Sequence, residues 1–371
     1  MAYRFGTHAI ADAQWLAVTE GIVNGARWLD QVLQHFPSPQ AILHCSQAAT
    51  SQYQLSSLQS AIAVASTAQS AAKLQSSGCL HLVIPSDLEY PPLLAECEDR
   101  PPFLFVLGDL TAISASSLSI VGTRKPSLDG KRATGAFAAE AVRLGKVVVS
   151  GLALGVDGAA HEAALAAGGR TVAVLPAGID QIYPSRHQDL SERVAGSGAL
   201  VSEFPMGTPP RKHHFHRRNR TLSGLSSATL VIEAGRPSGT LITASAAADQ
   251  GRDVMTLPWS IYHPQGAGCR FLLEDGAILL PSVAALQEHI SATSVGAPID
   301  QRPLNASPGL DLSLLDARER AVLTLMGRGS VTPELLQAHL GWDLDQSLSC
   351  LSSLEVAGWV SRGASGYSAN Y

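Results

Sequence analysis

From Leu80 to about residue 280 the chain alternates short apolar runs with Ala-rich amphipathic segments. This alternation restricts the fold more than any other feature. The apolar runs are Leu82–Ile84, Phe103–Val106, Leu118–Val121, Val147–Val149, Thr171–Leu175, Leu200–Ser202, Thr229–Ile232 and Asp253–Leu257. Each is short and nearly continuous in apolar residues, which reads as a buried strand. Between several of them lie amphipathic helices, notably 130–144, 157–167 and 240–250. Strand, crossover helix, strand, repeated, predicts an α/β fold: a mostly parallel sheet with helices on both faces. A 46% hydrophobic fraction with only 5% aromatics, and 33 glycines, favours such layers over an aromatic-rich β-sandwich.

The flanking segments follow a different grammar. Residues 1–80 read as a small helical domain, with Trp15, Leu16 and Val18, then Trp28, Leu29, Val32, Leu33 and Phe36, at helical spacing. Ser38 is placed to cap a helix that opens on Pro39. The nearly uncharged stretch from Gln47 to Ser77 is expected to be helical as well. The main domain is expected over 81–290, and residues 291–309 lack periodicity and read as a linker. Residues 310–371 predict helices near 316–327, 332–339 and 344–357. A hairpin pairing Trp359–Ser361 with Gly366–Ser368 follows, in the order of a winged helix. The five cysteines (Cys45, Cys79, Cys97, Cys269, Cys350) form no CxxC pair and read as thiols of a reducing compartment. The first residues lack a signal-peptide pattern and no apolar stretch is long enough for a membrane span. A soluble, cytoplasmic protein is expected.

Charge is concentrated in one place. Arg211-Lys-His-His-Phe-His-Arg-Arg-Asn-Arg220 holds five Lys/Arg and three His, with no acidic residue between Glu203 and Glu233, in a chain of net charge -5. Such local bias fits a polyanionic partner. Phe215 within the run, and the apolar strand beginning at Ala228 beyond it, distinguish it from a disordered basic tail. His213, His214 and His216 stand among cations that would repel a metal, so phosphate suits this segment better and no metal is expected.

Ligands of an open parallel sheet sit at the carboxyl ends of its strands. Four turns there share one character. Gly122, Arg124 and Ser127 precede a helix near Gly130; Ser150-Gly151 precedes Asp157; Leu175-Pro-Ala-Gly178 ends a third strand; and Ser238-Gly239-Thr240 opens another helix. Together with the basic run they make a phosphate-binding rim. G-x-G-x-x-G and the P-loop pattern are both absent, so neither a dinucleotide nor any other cofactor is expected. Asp157 at a helix start and His161 one turn later read as a terminal charge and a packed histidine, and no catalytic residue is assigned.

The ordered set Val121-Gly-Thr-Arg-Lys-Pro-Ser127, Ser150 to Asp157 with His161, Ala173 to Asp180 with Tyr183-Pro184, and Ser202-Glu-Phe-Pro205 resembles the DprA (Smf) family of DNA-processing proteins. Arg217-Arg-Asn-Arg220 with Ser223-Gly-Leu-Ser226, and Glu233-Ala through Ser238 to Ala244, continue the likeness. So do Asp87 to Pro91 and Pro101 to Phe105 upstream. The resemblance spans roughly residues 85–285. It implies an extended Rossmann-like fold and a cytosolic dimer that binds single-stranded DNA without catalysing a reaction. It further implies protection of incoming strands and loading of the RecA recombinase during natural transformation. Position by position, Arg124, Ser127 and Gly130 match a first phosphate-binding loop, and Ser150 and Gly151 a second. Arg217, Arg218, Asn219 and Arg220 match the basic motif, and Ser238, Gly239 and Thr240 the last loop. Gly122, Lys212 and Phe215 complete the expected DNA-binding set, Phe215 either stacking on a base or packing in the core. The chain departs from the family at Leu154 (commonly Arg), His216 (Pro), Thr221 (Ile), Trp259 (Gly) and Arg270 (Asn).

Two other functions compete with this reading. Arg236-Pro-Ser-Gly-Thr-Leu-Ile-Thr243 resembles the P-G-G-x-G-T-x-x-E turn of phosphoribohydrolases acting on nucleotides. Thr243 stands at the catalytic Glu of that motif and cannot serve as a carboxylate base. A winged helix reading duplex DNA needs basic or polar readers on its third helix. Here residues 343–357 carry no Lys or Arg, and residues 310–371 hold seven Asp/Glu against four Arg. That domain is expected to contact protein instead.

Overall fold

The computed structural model describes residues 2–5, 9–65, 80–293, 317–326, 332–356, 360–363 and 366–369. The chain divides into two compact units, Met1–Gly296 and Ala297–Tyr371. The first is built on ten strands: β1 (Tyr3–Arg4), β2 (Leu80–Val83), β3 (Leu104–Gly108), β4 (Ser117–Val121), β5 (Val147–Ser150), β6 (Thr171–Leu175), β7 (Ala199–Ser202), β8 (Ala228–Val231), β9 (Asp253–Thr256) and β10 (Ile278–Leu279). They form one sheet in the order β1-β2-β3-β7-β6-β5-β4-β8-β9-β10. From β7 to β10 every pairing is parallel, whereas β1, β2 and β3 are joined antiparallel to one another and to β7.

Five helices precede β2: α1 (Ala9–Glu20), α2 (Ala26–His35), α3 (Pro39–Leu43), α4 (Gln47–Gln52) and α5 (Ser56–Ala65). Ser38 caps α3 by accepting the Ala41 N–H, with Pro39 in the first turn. The expectation for 66–77 falls outside the described residues. This segment does not stand apart from the sheet. Trp15, Val18, Leu29 and Leu33 share one hydrophobic cluster with Leu82, Phe103, Phe105 and Leu200, and β1 extends the sheet itself.

The remaining helices of this unit are α6 (Pro92–Ala95), α7 (Leu110–Ser114), α8 (Leu128–Arg143), α9 (Val156–Ala166), α10 (Gln188–Ser197), α11 (Lys212–Gly224), α12 (Gly239–Asp249), α13 (Ala267–Glu274) and α14 (Val283–Thr293). Successive strand residues point to opposite faces, so Leu118 and Ile120 of β4 pack with Phe137, Ala160 and Leu286 from α8, α9 and α14. Val121 of the same strand packs with Leu222, Ala244 and Leu272 from α11, α12 and α13. Both faces are thus covered, and full burial of each Val, Leu or Ile stabilises the unit by about 1.5–3 kcal/mol. Helix α14 runs to Thr293, into the stretch expected as linker.

The second unit holds α15 (Ala317–Met326), α16 (Pro333–Leu340) and α17 (Leu344–Val356), then a hairpin of β11 (Val360–Gly363) and β12 (Gly366–Ala369). Val322, Leu336, Leu351, Leu354, Val360 and Tyr367 form its core. Thr332 caps α16 and Gly341 closes it in the left-handed conformation. Trp359, expected in the hairpin, lies outside the described residues. Among the described residues no helix is long and apolar enough to cross a membrane.

Candidate nucleic-acid interface

Strand order within the parallel block reverses between β4 and β8, because β5 to β7 build outward on one side of β4 and β8 to β10 on the other. A crevice at the carboxyl ends of such strands is where this fold class takes ligands. Here it is a pocket of about 260 Å³. Gly122, Thr123 and Arg124 enter from the turn after β4, and Ser238, Gly239, Thr240 and Thr243 from α12 and its cap. Phe215, Arg218 and Asn219 of α11 form another wall, with Ala153 and Asp157 from the turn into α9. A second pocket of about 410 Å³ shares Arg124 and Phe215 with the first and adds Tyr183, Arg211, Lys212 and His216.

The basic run is not a loop wall. It forms helix α11, and the 3.6-residue period distributes its charges around the axis. Lys212, Phe215 and Asn219 share one face, towards the pockets. Arg217 and Arg220 occupy another, beside Glu203 and Asp99. Arg217 Nε pairs with the buried Glu203 carboxylate at 2.5 Å, and Arg220 pairs with Asp99 and Asp249. Arg218 points inward and is only 4% exposed. Its Nη1 donates to the carbonyls of Gly151 (2.7 Å) and Val174 (3.1 Å). Of the five cations expected to form a phosphate wall, Arg211 and Lys212 are exposed.

Phe215 is half-buried, between core and surface. The guanidinium of Arg124 lies 5.4 Å from its ring centroid, that of Arg218 lies at 5.9 Å, and Tyr183 meets it edge-on at 5.8 Å. Both guanidinium distances are within cation–π range. Arg124 is itself exposed.

Three buried carboxylates organise the rim from beneath. Glu233, fully buried, accepts the Ser127 N–H at 2.9 Å at the start of α8 and meets His263 Nε2 at 2.5 Å. Asp157 accepts N–H groups from Gly151 and Ala153, and Arg218 is the strongest positive charge acting on it. Burial nevertheless pushes the Asp157 carboxyl above its ordinary value, and burial pushes Arg218 below its own. Glu203 accepts the Thr221 hydroxyl at 2.9 Å as well as Arg217. Two donor sets that looked suited to phosphate, the first turn of α8 and the Gly151–Ala153 turn, therefore face carboxylates of the protein itself.

The expected residues accordingly separate. Gly122, Arg124, Phe215, Arg218, Asn219, Ser238, Gly239 and Thr240 line the switch-point pocket, and Lys212 lines its neighbour. Ser127 caps α8 through the Gly130 N–H at 2.9 Å. Ser150 is fully buried, its hydroxyl bonded to the Ile120 carbonyl at 2.6 Å, so that side chain faces the sheet. A Cβ at Gly130 would overlap Glu233, and one at Gly151 would overlap Arg218. Glycine is required there to admit those side chains. His161 is fully buried, its Nδ1 2.7 Å from the Thr171 hydroxyl, and burial holds its pKa down to about 3. Leu154, where the related family commonly has arginine, is exposed beside this rim. Sequence reasoning gave no role to Glu203 or Glu233. Their signal was their isolation, as the two acids that bracket the basic run.

The chain matches the family model of DNA recombination-mediator protein A over residues 81–291 and that of the DprA winged helix domain over residues 306–366. Protein Smf of Escherichia coli strain K12 is 38% identical over 290 residues, covering 77% of this chain and 77% of that protein. The crystal structure of DNA processing protein A from Streptococcus pneumoniae superposes with a TM-score of 0.64 at 28% identity, covering 74% of this chain and 97% of that one. DNA processing protein A from Helicobacter pylori, whose structure was described for its single-stranded DNA binding mode, gives a TM-score of 0.51 at 29% identity. That match covers 55% of this chain and 93% of the other.

Proposed function

The chain belongs to the DNA recombination-mediator protein A family, and we propose that it binds single-stranded DNA along the rim of the switch-point pocket without cleaving it. In this reading the strand's phosphates meet Arg124, Lys212 and the α12 N-terminus at Ser238–Thr240. Phe215 offers its ring to a base between them. Gly122 and Asn219 complete the pocket, while Arg217, Arg218 and Arg220 hold α11 in place. Base contacts by stacking tolerate any sequence, and the charge contacts weaken with salt. The protein would act in the cytoplasm as a homodimer, protecting incoming strands and helping to load RecA during natural transformation. The acidic α17, with no basic residue, suits the second unit to a protein contact.

One observation carries this reading. The pocket combines an exposed arginine, a helix N-terminus and a half-buried aromatic at the point where the strand order reverses. The rival hydrolase reading finds little support there. Thr243 occupies the place of the required glutamate, and Asp157, the carboxylate among the pocket-lining residues, is engaged by backbone N–H groups and Arg218.

The test is a salt titration of binding to single-stranded oligonucleotides by the full chain and by an Arg124→Ala plus Lys212→Ala variant. Each phosphate contact on a single strand contributes about 0.7 to the slope of log affinity against log salt. The double variant should lose about 1.4 of that slope. An unchanged slope and affinity would place the strand elsewhere. Steady release of nucleobase or ribose phosphate from nucleotides would revive the hydrolase.

A further inference from the structure

Beyond β9 the chain makes a short loop, Pro258–Gly266, at the same carboxyl edge of the sheet as the pocket. Its centre is a turn closed by the His263 N–H donating to the Ser260 carbonyl at 3.0 Å. The two residues at its tip are Ile261, 70% exposed, and Tyr262, 86% exposed. Large apolar side chains scattered singly over a surface need no explanation. Among the described residues this is the one place where two consecutive ones are exposed.

The turn that presents them is anchored from several directions. Trp259 Nε1 donates to the Ile232 carbonyl at 2.6 Å, and its indole stacks on His263 with centroids 4.6 Å apart. His263 in turn meets the buried Glu233. Arg270 Nη1 donates to the Ser260 carbonyl at 2.8 Å. The Gly268 N–H bonds to the Ala234 carbonyl at 2.7 Å, and Gln265 packs against Gly235. The loop is therefore fastened to the strand-end turn that leads to Ser238 and, through Glu233, to the turn that carries Arg124. Trp259 and Arg270, two departures from the family pattern, are both anchors of this turn.

We propose that Tyr262, supported by Ile261, is a second base-stacking platform, receiving a nucleobase of the strand after its phosphates leave the switch-point pocket. This rests on the single-stranded DNA reading above. A nucleobase suits the surface because an exposed ring on a pinned turn loses little freedom on stacking. Arg270, held to the Ser260 carbonyl of the same turn, also supplies positive charge to the backbone of the same strand.

The experiment measures binding of short and long oligothymidylates by the full chain and by Tyr262→Ala, Tyr262→Phe and Ile261→Ala variants, with sedimentation of each protein in parallel. Tyr262→Ala should bind long oligonucleotides about fivefold or more weakly, and short ones that fill only the pocket as the parent does. Tyr262→Phe should retain parent affinity, because the ring is kept, and Ile261→Ala should lose less than Tyr262→Ala. Parent affinity in Tyr262→Ala at every length overturns the platform and leaves the pocket reading standing. A change in oligomeric state with no change in affinity assigns the turn to a protein contact and also overturns it. Absence of binding by the parent chain overturns both readings.

Discussion

Arg218→Ala separates the structural arginines of α11 from those that face a ligand. The Arg218 guanidinium is buried, donates to two carbonyls, and is the largest favourable charge acting on Asp157. Truncation leaves Asp157 buried beside two carbonyls that have lost their donor. Leaving a buried charge uncompensated costs about 3–5 kcal/mol. In a unit of this size that amounts to a fall in melting temperature on the order of 10 °C. The deficit should depend on pH in a definite direction. Burial already raises the Asp157 carboxyl above its ordinary 3.8, and loss of Arg218 raises it further. A carboxyl raised in the folded state makes the native protein the better proton binder. Its cost is then absent below the unfolded-state value and grows as pH climbs through the folded one. Urea titrations at pH 7 and near pH 4 should therefore show a larger deficit at pH 7, and an added Asp157→Asn should recover part of it there. Wild-type stability combined with lost DNA affinity would put Arg218 on the strand and refute this assignment.

Gly130 and Gly239, both matched to phosphate loops, should part company. Alanine at Gly130 meets Glu233 and should destabilise the fold by about 1 kcal/mol or more in thermal melts. Alanine at Gly239 has nothing within 4 Å of its Cβ, so stability should hold while affinity for single strands falls. His161, held down to about 3 by burial, stays neutral in the native protein while the unfolded chain takes up a proton below its ordinary 6.5. Its contribution is thus fully present above 6.5 and lost as pH falls from there towards 3, up to about 5 kcal/mol. Stability measured across that range should have a shallower acid limb in His161→Leu.

The alternation of strands and helices was legible because a parallel sheet covered on both faces needs continuous apolar runs. The runs from Leu118 to Leu257 each contain a strand of it. The antiparallel attachment of β1 to β3 was not legible, because a two-residue strand such as Tyr3–Arg4 carries no period, and Leu80–Val83 reads alike in either direction. Helical packing of residues 9–65 was foreseen from Trp15, Leu29 and their neighbours, but its shared core with Phe103 and Phe105 was not. Which residues converge on the pocket was read from turns with Gly, Ser and Arg. Which way each side chain points was not readable, since that depends on helix phase. Arg217, Arg218 and Arg220 look equivalent in one dimension, yet 100° steps turn one into the core and two towards acids lying more than ten residues away or further.

Those acids change what the basic run can do to a polyanion. Glu203 and Asp99 neutralise Arg217 and Arg220, and Asp157 acts on Arg218. The run then presents Arg211 and Lys212, and Arg124 joins them from the turn after β4. Six free cations would give a single-strand salt slope of about -4, whereas three give about -2. The difference is large enough for the titration of the unsubstituted chain to decide between them. With an oligonucleotide short enough to fill only the pocket, a slope near -2 requires that much of the affinity come from groups that release no counterions, the α12 N-terminus and Phe215. A slope near -4 requires that Arg217 and Arg220 leave Glu203 and Asp99, and that Arg218 leave its two buried carbonyls, when the strand arrives. That exchange would leave Glu203, which is 1% exposed, with Thr221 as its remaining partner. An unpaired buried carboxylate costs several kcal/mol, more than a solvent-exposed phosphate contact returns, so the smaller slope is the expected one.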